Sequence, residues 1–227
     1  MAMTADGKIA SANRAVSSFS SRRDRDHLLA LRARADAVMA GARTADSAGI
    51  NLGPGPVRYR RLRVRRGLAE YNLRIIVSRT GTVDPNAEVF RRRFSPLIIL
   101  ITRRASARRQ RGLRALADEV KICGAKEIDF RRALRWLREK WGIERLLCEG
   151  GGELNDALFR AGLVNELHLT VCRKIFGGRK APTIADGLGA PKLAGATAMK
   201  LKSMKRVGDE LFLVFKAVPP SKRGPRQ

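Results

Sequence analysis

The chain has 227 residues, 44% of them hydrophobic, and a formal net charge of +26. That length fits one large domain or two small ones, and no apolar run reaches the roughly 20 residues that a membrane helix needs. Cys123, Cys148 and Cys172 form no CxxC pair, and His27 and His168 are the only histidines, which argues against a disulfide framework, a zinc cage or a histidine-rich metal site.

Ala2 to Ala10 reads as a short strand end followed by a turn at Asp6-Gly7. It lacks the basic-then-apolar layout of a secretory signal, so a cytoplasmic enzyme is expected. Ser20 or Ser21 caps a helix from about Arg22 to Arg34, with Asp24 in capping-box position after Ser21. Ala35 to Ala40 is a strand, followed by Gly41-Ala42-Arg43-Thr44. Ile50 to Arg66 is rich in Gly, Pro and Arg and reads as a long solvated loop. Leu73 to Val77 and Leu97 to Thr102 are β-branched strands. Leu113 to Ile122 suggests a helix and then a strand. Phe130 to Trp141 is a strongly periodic helix, with Leu134, Leu137 and Trp141 inward and Arg131, Arg135 and Arg138 outward. Glu166 to Cys172 is a strand. Ala198 to Val207 and Glu210 to Val218 form a closing pair joined at Gly208-Asp209. Residues 1–218 make one domain, and the basic tail Pro219 to Gln227 is expected to be disordered. Strands alternating with helices predict an α/β fold, parallel in its middle, with an antiparallel edge from the last two strands.

The segment Ile143 to Arg160 carries the strongest functional signal. An apolar strand ends in Glu149 and runs through Gly150, Gly151 and Gly152 into an amphipathic helix with Leu154, Leu158 and Phe159. Such a turn leaves backbone N–H groups without partners at a helix N-terminus, which suits phosphate. Ligands of α/β sheets bind beyond the carboxyl ends of the strands. Four segments converge there: Thr4 to Lys8, Gly41 to Thr44, Ser78-Arg79, and Glu149 to Gly152. The +26 charge attracts polyanions, and it implies non-specific nucleic-acid binding at low salt. With 5% aromatic residues and no nucleic-acid-binding signature, it does not imply specific recognition.

Four blocks give the chain a family likeness. They are Ala2 to Ala10; Leu31-Arg32-Ala33 with Ala35 to Gly41 and Thr44; Cys148 to Asn155 with Ala161 to Leu167; and Lys174 to Gly178 with Ala181-Pro182-Thr183. Together they resemble the pyrimidine reductases of riboflavin biosynthesis, over about residues 2 to 187. The resemblance implies a dihydrofolate-reductase-like three-layer α/β/α fold, a homodimer and NADPH as cofactor. It implies reduction of the ribosylamino group of a 5-phosphoribosylamino-pyrimidine to a ribitylamino group, as in a 5-amino-6-(5-phosphoribosylamino)uracil reductase. The zinc-deaminase signature carried by many bacterial members is missing from this sequence. Carried over by position, cofactor contacts fall on Ala2, Gly41, Thr44, Ser78, Arg79, Gly150, Gly151, Gly152, Glu153, Leu154 and Asn155. In this reading Ser78 and Arg79 meet the 2′-phosphate. Substrate contacts fall on Lys8, Arg32 and Leu52, with Arg32 as a phosphate clamp. Asp6 and Glu149 are the catalytic carboxyl candidates, either one a proton donor to the opening ribose ring. Ala48 stands where the family has an Asp near the cofactor, Asn165 where it has an Asp, and Arg173 where it has a Pro. A divergent paralogue with another small-molecule substrate, or a polyanion-binding protein without catalysis, is the alternative. The family also has more residues before the first strand, so a late start or a shortened strand is expected here.

Overall fold

The structure, a computed structural model, describes residues 1–14 and 19–218. The expectation of a disordered tail at 219–227 lies outside the described residues. The elements in chain order are β1 (Ala2–Thr4), α1 (Arg22–Arg32), β2 (Ala37–Gly41), α2 (Ala42–Ala45), α3 (Val57–Val64), β3 (Leu73–Val77), α4 (Glu88–Arg91), β4 (Leu97–Ile101), α5 (Ala107–Leu116), β5 (Glu119–Ile122), α6 (Phe130–Trp141), β6 (Leu146–Cys148), α7 (Gly152–Arg160), β7 (Glu166–Cys172), β8 (Met199–Val207) and β9 (Glu210–Ala217).

Local chemistry explains most boundaries. The Ser21 hydroxyl accepts from Asp24 N–H at 3.3 Å and so caps α1. Ser21 is itself held by the buried carboxylate of Glu210, which accepts from its N–H at 2.7 Å. The helix stops at Arg32, two residues before the expected Arg34. Asp129 caps α6, and Gly142, at φ +64°, closes it in the left-handed conformation that glycine adopts without strain.

Strands β5, β4, β3, β2 and β6 form a fully parallel sheet in that order. A second ladder runs β1, β7, β9, β8, parallel between β1 and β7 and antiparallel thereafter. The parallel middle and antiparallel C-terminal strands match the expected fold class. Alternation along the strands divides the core into two layers. Val38, Ala40, Ile76, Ile99 and Ile101 pack with Val89, Phe90 and Leu113. Ala37, Met39, Ile75, Ile98 and Leu100 pack with Phe130, Ala133, Leu137, Leu154 and Leu158. Among the described residues, no helix is long and apolar enough to cross a membrane.

The strand order places the functional edge. From β2 the chain steps outward through β3, β4 and β5, then returns on the other side of β2 as β6. The order therefore reverses between β2 and β6, and the crevice beyond their carboxyl ends is where such sheets take ligands.

The reading of Ile50 to Arg66 as a solvated loop is corrected: Val57–Val64 is helix α3. Its arginines suggested exposure, but Arg63 is buried at 1% exposure. Arg63 donates to the carbonyls of Arg32, Ala35 and Ala69 at 2.7, 2.5 and 2.8 Å. A guanidinium with that many backbone acceptors can be buried without an acidic partner.

Candidate active site

At the β2–β6 reversal the two strand ends touch. Gly41 N–H donates to Gly150 O at 2.7 Å. The Gly150–Gly151 peptide is cis, and Gly150 has φ +87°. A Cβ on Gly41 would lie 3.7 Å from Gly150 O and Gly151 N, and one on Gly151 would meet only Thr44 Oγ1, at 3.5 Å. The space over Gly151 is thus open, with the Thr44 hydroxyl at its side. Gly151 precedes α7 as its N-cap and has no side chain to cap it, so the helix opens toward this space with its first N–H groups. Gly152 is different. A Cβ there would come within 2.7 Å of Thr183 O, and Gly152 O accepts from Asp186 N–H at 3.0 Å. Asp186 also accepts from the Thr183 N–H and hydroxyl, at 2.9 and 2.7 Å. The 183–186 loop therefore seals one flank of the turn.

Glu149, at the end of β6, faces Arg32 at the end of α1. Arg32 Nε and Nη2 each donate to one carboxylate oxygen at 2.6 Å, and both side chains are 9% exposed. Arg32 Nη1 donates to Gly53 O at 2.6 Å. Its fork is therefore engaged inside the protein. The pair has its own footing. Arg63 holds the Arg32 carbonyl from below, and Asn72 Nδ2 donates to Leu52 O at 2.8 Å, next to Gly53. Leu52 has φ +59° and no exposed surface, and it packs in the core.

Asp6 lies in the turn after β1. Its carboxylate accepts from the Thr4 hydroxyl and from Gly177 and Phe176 N–H at 2.7 and 3.3 Å. The Thr4 hydroxyl, and then those backbone donors, hold its carboxyl below the usual range. Asp6 is therefore an ionised acceptor that ties two turns together. Both oxygens of Glu149, by contrast, accept from the Arg32 side chain. Lys8 Nζ donates to Ala181 O at 3.3 Å, on the same 177–186 segment.

Ser78 is 5% exposed, and its hydroxyl donates to Thr82 O at 2.8 Å. It braces its own turn. Arg79 beside it is surface-facing and pairs with Glu127 at 2.7 Å. On α7, Leu154 is in the core, and Asn155 Nδ2 donates to Ile184 O at 2.7 Å. Glu153 points outward and accepts from Arg43.

Residues 1–213 match the RibD C-terminal domain. The chain belongs to that family. A 2,5-diamino-6-ribosylamino-4(3H)-pyrimidinone 5′-phosphate reductase of Methanothermobacter thermautotrophicus is 33% identical over 214 residues, 94% of each chain. An enzyme of the same name from Aquifex aeolicus is 30% identical over 85% of this chain and 81% of its own. In fold, a pyrimidine reductase-like protein of Corynebacterium diphtheriae superposes with a TM-score of 0.76 at 20% identity, covering 96% of this chain and 89% of that one.

Several residues at this RibD-family site escaped the sequence reading. Arg63, Asn72 and Asp186 lie under Glu149 and Gly152, and nothing in their local sequence marks them. Arg14, Arg179 and Lys180 line a cavity with Asp186 beside the glycine turn. A cluster of cations between two glycine-bearing turns was the only available signal.

Proposed function

We propose that the chain is a reductase of riboflavin biosynthesis that converts a ribosylamino-pyrimidine 5′-phosphate to its ribitylamino form, with NADPH as reductant. The relatives' names support the substrate class and the reduction. One observation carries the reading to this chain: the open glycine turn at the β2–β6 reversal, with the buried Arg32–Glu149 pair at its base.

The residues present fit a dinucleotide. The missing Cβ at Gly151 leaves room for a phosphate to approach the backbone, and the uncapped start of α7 supplies N–H groups and a positive dipole end. The Thr44 hydroxyl flanks the same space. Arg79, exposed after β3, is the cation for a 2′-phosphate, and this favours NADPH over NADH. When bound, a reduced nicotinamide supplies the hydride.

Arg32 fixes the Glu149 carboxylate in one orientation, so its remaining lone pairs can accept from the substrate's hydroxyl or amino groups. Lys8 keeps protons on Nζ beyond the one given to Ala181 O and offers them to the substrate. Asp6 holds the Lys8 turn against the Gly177 turn. The rate then comes from alignment, because the protein brings the two reactants together in one geometry.

The test is to follow loss of reduced-nicotinamide absorbance with the diaminopyrimidinone and uracil forms of the ribosylamino phosphate. Turnover of either supports the reading. No turnover of both, together with no rescue of a riboflavin-requiring reductase mutant, sinks it.

A further inference from the structure

Arg43 and Glu153 meet across the mouth of the glycine turn. Arg43 lies in α2 between Gly41 and Thr44, the two residues that approach Gly150 and Gly151. Glu153 lies in the first turn of α7, directly after the turn. Arg43 Nη2 donates to Glu153 Oε1, and the two side chains are 62% and 66% exposed.

A carboxylate in the first turn of a helix suits the helix dipole. At a place proposed to receive a pyrophosphate it is also a like charge facing the ligand. Arg43 neutralises it. An exposed ion pair of this kind contributes little to stability, so its exchange for another anion is easy. The guanidinium fork fits a phosphate at least as well as a carboxylate.

We infer that Arg43 is a pyrophosphate ligand held in reserve by Glu153, turning from the carboxylate onto the dinucleotide as it binds. Glu153 thereby weakens cofactor binding and Arg43 strengthens it, so the two ends of one ion pair have opposite effects. The inference rests on the dinucleotide seat proposed above.

Calorimetric titration of the full chain with NADPH and with NADH tests it without turnover. Arg43→Gln is expected to weaken both about 10-fold, the loss of one charge-assisted phosphate contact. Glu153→Gln is expected to tighten both several-fold. Equal shifts for the two nucleotides point to the pyrophosphate. A shift confined to NADPH would move Arg43 to the 2′-phosphate and overturn the assignment. Wild-type binding with either variant unmoved, or weaker binding in Glu153→Gln, overturns the role of Arg43 alone. A wild-type chain that binds neither nucleotide overturns the seat and this inference together.

Discussion

Arg32 closes a two-pronged bond on Glu149, 117 residues away, with both donor–acceptor distances at 2.6 Å and both side chains 9% exposed. The pair joins the end of α1 to the end of β6 and sets the carboxylate that begins the glycine turn. Removing one partner of such a buried pair leaves the other charge uncompensated, which costs about 3–5 kcal/mol. Arg32→Met should therefore lower the unfolding free energy by about that amount in urea titration. Glu149→Gln keeps the shape and should be milder. If Arg32→Met is as stable as wild type, the pair is not the strut described.

Two neighbouring glycines should separate fold from binding. Gly152→Ala drives a Cβ to 2.7 Å from Thr183 O, and such overpacking costs about 1–3 kcal/mol. Gly151→Ala places its Cβ 3.5 Å from Thr44 Oγ1, an ordinary contact, at a backbone φ of −73° that alanine adopts. It should keep the wild-type melting temperature and lose dinucleotide affinity. Calorimetry on both variants checks this, and unchanged affinity in Gly151→Ala would remove the turn as a phosphate seat.

Arg63→Met should destabilise the chain by about 3 kcal/mol or more, because three carbonyls lose a charged donor in a buried place. Arg63→Lys should recover part of that. Because the Arg32 carbonyl is among the three, KM for the pyrimidine should rise in Arg63→Lys while KM for the cofactor stays put. A uniform change in both constants would reduce Arg63 to a scaffold role.

Asp6 gives a pH signature. Its carboxyl is held low by the Thr4 hydroxyl and then by the backbone donors of Gly177 and Phe176. A lowered folded value means that its stabilisation is present above the ordinary Asp range and is lost as pH falls through the folded value. Thr4→Val removes the largest cause, so acid loosening should begin at higher pH than in wild type. Melting temperature against pH reads the shift, and overlapping curves would refute it.

The corner after β3 predicts a split between neighbours. Arg79→Gln should lower the NADPH-to-NADH preference, whereas Ser78→Ala should leave that ratio unchanged and lower stability. Steady-state constants with both cofactors decide the matter. An equal loss for both nucleotides in Arg79→Gln would place the 2′-phosphate elsewhere.

By itself the sequence determined the elements whose periodicity is strong. Leu73–Val77, Glu166–Cys172 and Phe130–Trp141 end where their apolar patterns, caps and glycines say they should. It also marked the glycine turn, where Gly150 takes φ +87° and a Cβ on Gly152 would strike Thr183 O. The tertiary structure decided what each polar side chain does. Arg32, Ser78, Asn155 and Asp6 look alike as polar letters in the sequence, and in the fold each bonds to a residue distant in sequence or within its own turn. Helix α3 was illegible for the same reason, since an arginine reads as exposed until folding brings three carbonyls to it. Periodicity is a local property, whereas the partner of a polar group depends on which distant atoms the fold delivers within hydrogen-bond range.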